Sequence, residues 1–277
     1  VWWGLVCALV AAIAYGVASV LQAVAARAVD DDGAAGVDPR LLFRVLRQWR
    51  YVLGLSMDAL GFIAQLVALR VLPLFVVQAA LAASLAVTAV AALKIGARLH
   101  GREWTAIVAV CAGLALLGAS AQSEGSEPVG LGFHIALAVA TVVLAGVGAL
   151  AGRAADTVRG PALGLVAGLG FALVALAGRV LDTSSVVAVL TDPATYTIAG
   201  AGVVAMLFYA SALQRGSVTT ATALMVVGET VLPSVIGVVA LGDSTRPGFA
   251  PIAIAGFVLA VAAALALARF GEIEPAS

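Results

Sequence analysis

What most constrains this chain is a succession of apolar runs, each about as long as the hydrocarbon core of a bilayer is thick. A helix rises about 1.5 Å per residue, so roughly 20 apolar residues cross that core. Nine segments meet the length: 2–26, 51–71, 72–93, 104–121, 130–152, 160–179, 196–214, 217–241 and 247–268. The 277 residues are 63% hydrophobic and 11% charged, whereas soluble chains carry roughly 25% charged residues. No water-soluble core could hide that apolar surface. The spacing predicts an all-α polytopic membrane protein with nine transmembrane helices.

The runs fall into two halves. Residues 1–121 hold four spans, 122–129 form a loop, 130–269 hold five spans, and 270–277 are a tail. Ala68-Leu69-Arg70 finds a counterpart in Ala212-Leu213-Gln214-Arg215, the Gly96 joint in Gly242, and Gly113 in Gly256. The offset drifts from about 143 to about 146 residues, a weak internal repeat. The two three-span units, 51–121 and 196–268, begin five spans apart, and an odd offset makes them point in opposite directions, so the repeat is expected to be inverted (4+5). Between the first two spans, an acidic run leads into Leu41, Leu42, Phe43, Val45 and Leu46 among arginines. That basic amphipathic piece, about 40–48, is too short to span and should lie on the membrane surface.

Orientation follows from the basic residues. With the N-terminus outside, twelve Lys and Arg fall on inner segments and three, Arg70, Arg179 and Arg246, on outer ones. Cytoplasmic loops carry the excess of Lys and Arg, so the N-terminus is expected outside and the C-terminus in the cytoplasm. Residues 26–28 superficially match a signal-peptidase site, but no positive charge precedes the run, and 2–26 exceeds a signal-peptide core of roughly 7–15 residues. The segment is therefore read as a span.

Thirty glycines recur at helical spacing, as in Gly160, Gly164 and Gly168 or Gly148 and Gly152. Small-xxx-small faces let helix backbones approach closely. Packing within one bundle is the simpler use, and a homodimer through the same faces is the alternative. Cys7 and Cys111 lie within apolar runs without partner spacing and read as packing residues.

Ionisable residues inside apolar runs are the sharpest functional signal. Asp58 and Glu229 both fall near mid-depth, where an unpaired charge costs about 2.5–3.5 kcal/mol on insertion scales. Each must face a cavity, a partner or a proton. The plain alternative is a neutral, hydrogen-bonded carboxyl in the bundle. Polar neighbours share their stripes: Asp58, Phe62 and Gln65 on the second span, Tyr15, Ser19 and Gln22 on the first, Thr222 and Glu229 on the eighth. With Gln78 heading the third span and Tyr209 on the seventh, these side chains could line one substrate- or ion-binding cavity. Pro233, four residues beyond Glu229, frees a backbone carbonyl near the same depth.

Other chemistries find little footing. Gly54-Leu55-Ser56-Met57 faintly matches an intramembrane serine-protease motif, but Ser56 sits within a continuous apolar helix and His134 near the outer surface. Asp30-Asp31-Asp32-Gly33 imitates the start of an EF-hand loop, yet Leu41 stands where the bidentate Glu belongs. There is no Walker A loop, His-Glu-x-x-His or Cys-x-x-Cys, and the zero net charge gives no sign of nucleic-acid binding. The reading calls for no catalytic residue and no cofactor. The expected partners are the bilayer and a small solute or ion.

Three-span units followed by a polar joint and a Gly-rich helix resemble the drug/metabolite transporter (EamA-like) superfamily over nearly the whole chain. Gly16-Val17-Ala18-Ser19-Val20-Leu21-Gln22 is similar to the first helix of NIPA-type magnesium transporters. Leu55-Ser56-Met57 is similar to the start of their second helix, Leu99-His100-Gly101 to the joint before their fourth, and Leu116-Leu117-Gly118-Ala119-Ser120 to that helix's end. The third-helix Pro-Leu-Gly of that family is Gln78-Ala79-Ala80 here, and Asp58 stands near its second-helix glutamate. The resemblance implies a secondary transporter working by alternating access, with a midplane cavity built from spans one, two, three, five, seven and eight. Asp58 and Glu229 would bind a cation or carry a coupling proton. Magnesium is the first specific cargo; if it is carried, these two carboxylates are its metal ligands. A lipid-linked sugar flippase and a non-transporting scaffold subunit are the remaining alternatives.

The charge count makes a direct prediction. In a chain cleared of Cys7 and Cys111, an impermeant thiol reagent added outside should label Ser126→Cys and miss Gly101→Cys. The reverse pattern would overturn both the orientation and the inversion.

Overall fold

A computed structural model describes residues 2–27, 49–93, 100–122, 129–215 and 218–270. These residues form eleven helices and no strand: α1 (Trp2–Arg27), α2 (Trp49–Ala68), α3 (Leu74–Ala82), α4 (Ser84–Ala92), α5 (Gly101–Ser120), α6 (Leu131–Ala151), α7 (Asp156–Val180), α8 (Val186–Thr191), α9 (Pro193–Arg215), α10 (Val218–Ala240) and α11 (Ala250–Phe270). Seven segments among the described residues are long and apolar enough to cross a membrane. They lie in α1, α2, the α3–α4 rod, α5, α6, α7 and α11. The apolar stretches of α9 and α10 are shorter, Pro193–Tyr209 and Leu224–Ala240.

This is an integral membrane protein made of helices, and its long helices coincide with the apolar runs. The third run is broken rather than continuous, because α3 passes to α4 through Ala83, whose N–H is shared between the carbonyls of Ala79 and Ala80. The surface piece near 40–48 and the EF-hand-like loop lie outside the described residues. All four tryptophans sit in the first turns of helices and are exposed: Trp2 and Trp3 on α1, Trp49 on α2, Trp104 on α5. They mark both ends of the bundle at the depth where indole rings partition.

Burial divides the helices sharply. α3 is apolar on every side but for Gln78 and almost wholly buried from Leu74 to Ala80, the usual place of a helix hydrophobic all round. α7 is the second inner helix and packs extensively on both α9 and α10. α6 keeps only Leu137, Leu144 and Gly148 buried, packs Phe133 and Ala140 partly against the core and presents most of its other apolar residues outward. A lipid-facing helix needs no polar face.

Glycines set the closest approaches. A Cβ on Gly113 of α5 would come within 2.7 Å of the Gly256 carbonyl of α11, and one on Gly256 within 2.9 Å of the Gly113 carbonyl. The contact is reciprocal. A Cβ on Gly148 would collide with the Phe208 ring at 2.2 Å, and one on Gly168 with the Met225 carbonyl at 2.2 Å. These small faces are filled by helices of the same chain. Gly113→Leu should therefore force α5 and α11 apart and cost about 1–3 kcal/mol, read as a lower unfolding temperature in detergent. An unchanged melting curve would show that the α5–α11 contact is not close-packed.

Candidate functional site

Two polar regions emerge, one at an end of the bundle and one at mid-depth. At the end that gathers the starts of α1, α3 and α6 with the ends of α2, α5, α7 and α10, an ion pair is buried. Arg179, in the last turn of α7, places Nη2 3.0 Å from Asp243 Oδ1, with side chains 4% and 0% exposed. Its Nη1 donates to the carbonyls of Leu69 and Leu72, the latter at 3.4 Å. Asp243 Oδ2 accepts the N–H of Leu74, the first residue of α3, at 2.5 Å. The carbonyls of the α2–α3 turn have no helical partner of their own, and the first amide of α3 is a group a helix cannot satisfy alone. One ion pair satisfies both. Gly237 makes room, since a Cβ there would stand 2.5 Å from Asp243 Oδ2 and 3.0 Å from Leu74 Cβ.

The other two arginines of the expected outer set do the same work nearby. Arg70 donates through Nη2 to the Leu181 carbonyl. Arg246 donates from its backbone to the Ser120 carbonyl at 3.0 Å and from Nε to the Ala121 carbonyl at 3.1 Å, beside the Ala121–Thr245 bridge. His134 approaches Asp192 at 3.4 Å, and Asp192 Oδ2 accepts the Asp182 N–H at 2.7 Å. The Ser184 backbone N–H, then the Ser184 side chain and Arg70, hold the Asp182 carboxyl below its ordinary value. Burial and the neighbouring Arg179 pull the Arg70 guanidinium down, with Asp182 and Asp192 opposing. Six segments are stapled together at this end. By its place in the sequence Arg179 stands at the outer end of the run 160–179 and counts as an outer charge; the structure keeps it in the last turn of α7 but buries it, where its charge has a partner.

The mid-depth region joins α1 and α2. Tyr15 Oη donates to Gln65 Oε1 at 3.0 Å, and Gln65 is buried. Gly61 permits this, because a Cβ there would press on three Tyr15 ring carbons at 3.2 Å. Tyr15 also lies within electrostatic reach of Asp58 and Glu229. Asp58 is nine residues into α2 and Glu229 eleven into α10, so they lie about 13 and 16 Å from the same end of the bundle. Each of the two carboxylates, at similar depth, is therefore within electrostatic reach of Tyr15.

The remaining candidates divide. Gln78 is 2% exposed on α3, and its Nε2 has no hydrogen-bond partner among the described residues. Ser19 is exposed and bonds within its own helix, to the Tyr15 carbonyl at 2.9 Å. Tyr209 is half-buried on α9. The side chains of Gln22 and Thr222 lie outside the described residues. Pro233 is buried inside α10 and withholds the amide that would bond the Glu229 carbonyl. Ser56 bonds its own helix at the Val52 carbonyl, 2.8 Å away, as a packing serine does.

Among the described residues no group of three or more His, Cys, Asp or Glu could hold a metal ion. Two apolar clefts of about 730 and about 470 Å³ lie between helices, and neither is lined by Asp58 or Glu229. Comparison with known proteins finds no matching family model, no matching curated protein and no matching solved structure.

The buried pair gives a measurable expectation. Arg179→Met leaves Asp243 buried without its counter-charge and should cost about 3–5 kcal/mol, whereas Arg179→Met with Asp243→Asn keeps an acceptor for Leu74 and should recover most of that. Thermal unfolding of the two variants decides it. A double variant no more stable than Arg179→Met would show that the pair is not the unit of stability.

Proposed function

We propose that the protein is a membrane transporter that moves a small solute or ion by alternating access, coupled to a proton or cation. One observation carries this reading: the carboxylates Asp58 and Glu229, from helices far apart in sequence, lie at similar depth within electrostatic reach of Tyr15, away from the charged residues gathered at the stapled end. Structural packing alone gives no reason to place two acids there, because a neutral side chain avoids the insertion cost. A cargo cation or a coupling proton does.

The arrangement of the helices supports two opposed halves. α1 packs on α2 as α7 packs on α9, and α1 on the α3–α4 rod as α7 on α10. Gly16 approaches Ser84 and Val87 on one side as Gly168 approaches Met225 on the other. Helices α5 and α11 meet through Gly113 and Gly256, the positions that correspond in the sequence repeat. Counting α9 and α10 as crossings and α3–α4 as one gives nine, with the stapled end outside and the cytoplasmic end opposite. In this arrangement the outer gate is the closed one.

Magnesium remains the first specific cargo, because that ion keeps several waters and needs only one or two protein carboxylates. An organic solute would instead use Tyr15, Gln65 and Tyr209 as its walls. The chain needs neither catalytic residue nor cofactor for either cargo.

Purified protein in liposomes tests the reading, with magnesium influx and solute-driven proton movement as separate readouts. Glu229→Gln keeps shape and hydrogen bonding while removing the ionisable group. It should leave the protein folded, with an unfolding temperature at or above that of the wild type, and reduce coupled flux to the level of empty liposomes. Wild-type flux with unchanged pH dependence in that variant would reduce Glu229 to a buried neutral acid.

A further inference from the structure

The larger cleft lies between α1 and α5 and is unlike the site just described. Leu5 and Leu9 form part of one wall, Ala115, Gly118 and Ala119 the other, and α3 supplies the floor. The α5 wall is built of small residues at helical spacing, which is why a groove exists; a Cβ on Gly118 would meet only Leu5, at 3.5 Å. Trp2 and Arg246 stand at one end of the cleft, in the first turn of α1 and in the α10–α11 loop, and Cys111 lies at the other end. From Trp2 to Leu9 is about 10 Å of helix and from Ala119 to Cys111 about 12 Å. The groove thus runs from the membrane interface toward mid-depth, along the direction of an acyl chain.

Its polarity is one-ended. Arg246 is fixed by its bonds to Ser120 and Ala121, and the side-chain bond uses one of the five N–H donors of a guanidinium. The rest of the lining is apolar. An arginine at headgroup level above an apolar furrow matches an amphiphile with an anionic head, by the same attraction that draws basic residues to anionic lipid. The smaller cleft, between α10 and α11, makes the contrast: it has Asp243, Ser244 and Thr245 at that level and no basic residue in its lining.

We propose that the α1–α5 cleft is a binding site for one anionic phospholipid, an acyl chain lying along Ala115 and Ala119 and the headgroup phosphate on Arg246. The site is separate from the transport reading and stands without it. By holding the starts of α1 and α11 to the end of α5, the lipid would stabilise the stapled end.

Native mass spectrometry of the protein, extracted in mild detergent with equal amounts of phosphatidylglycerol and phosphatidylcholine, tests this. The wild type should retain phosphatidylglycerol in several-fold excess. Arg246→Gln should bring the two lipids to equal retention. Ala115→Phe, on an exposed apolar position, fills the furrow and should lower retention of both without lowering the unfolding temperature in lipid-free detergent. Equal retention by the wild type would overturn the proposal, as would an Ala115→Phe protein that holds phosphatidylglycerol like the wild type. A wild-type dimer that Ala115→Phe dissolves would assign the cleft to a second copy of the chain and overturn it too.

Discussion

The ion pair of Arg179 and Asp243 is the contact on which the rest of this structure depends. Removing two charges from water is expensive, and in a low-dielectric interior the pair is tolerated only when every remaining donor and acceptor is satisfied. Here that condition is met by helix ends rather than by other side chains. The arginine takes the carbonyls of Leu69 and Leu72 in the turn that follows α2, and the aspartate takes the amide at the start of α3. Four helices are tied at one point. The pair therefore does for α2, α3, α7 and α10 what no apolar contact could, because it consumes backbone groups that hydrocarbon would leave bare.

The same end draws in Arg70, Arg246, Asp182, Asp192 and His134, so the long-range polar contacts of the described residues concentrate there. At mid-depth the chemistry differs. Asp58 and Glu229 stand within electrostatic reach of Tyr15, which spends its hydroxyl on Gln65. On the proposed reading this contrast is the mechanism in outline: carboxylates that take a cation or a proton, beneath an end whose fastening must loosen for cargo to pass. Gln78 fits that picture, since it lies one turn below Leu74 on α3 and its buried Nε2 has no hydrogen-bond partner among the described residues.

Much of the architecture was legible because hydrophobic length is a local property. Each apolar run could be read without knowing its neighbours, and the observed helices follow them within a few residues. Stripes at i, i+4 and i+7 brought Asp58 and Gln65 to one face, and the structure sets Gln65 against Tyr15. What could not be read was tertiary pairing. Arg179 and Asp243 are 64 residues apart, and nothing in either neighbourhood announces the other. A signal was present nonetheless: Arg70, Arg179 and Arg246 are the residues that stand apart from the expected charge asymmetry, and all three bond across helix boundaries. The break at Ala83 was invisible for a different reason, since alanine is a good helix former and its neighbours give no stop signal.

The central claim, that the stapled end opens during the transport cycle, is tested most directly by locking it. Ala121 and Thr245 form an antiparallel bridge, so Ala121→Cys with Thr245→Cys should close a disulfide in a chain cleared of Cys7 and Cys111 and carrying Gln65→Cys as the reporter. In oriented liposomes an impermeant thiol reagent should reach the reporter from the stapled face only after the disulfide is reduced. Reporter labelling from that face that ignores the lock, or that never occurs in the reduced protein, would contradict alternating access through this end.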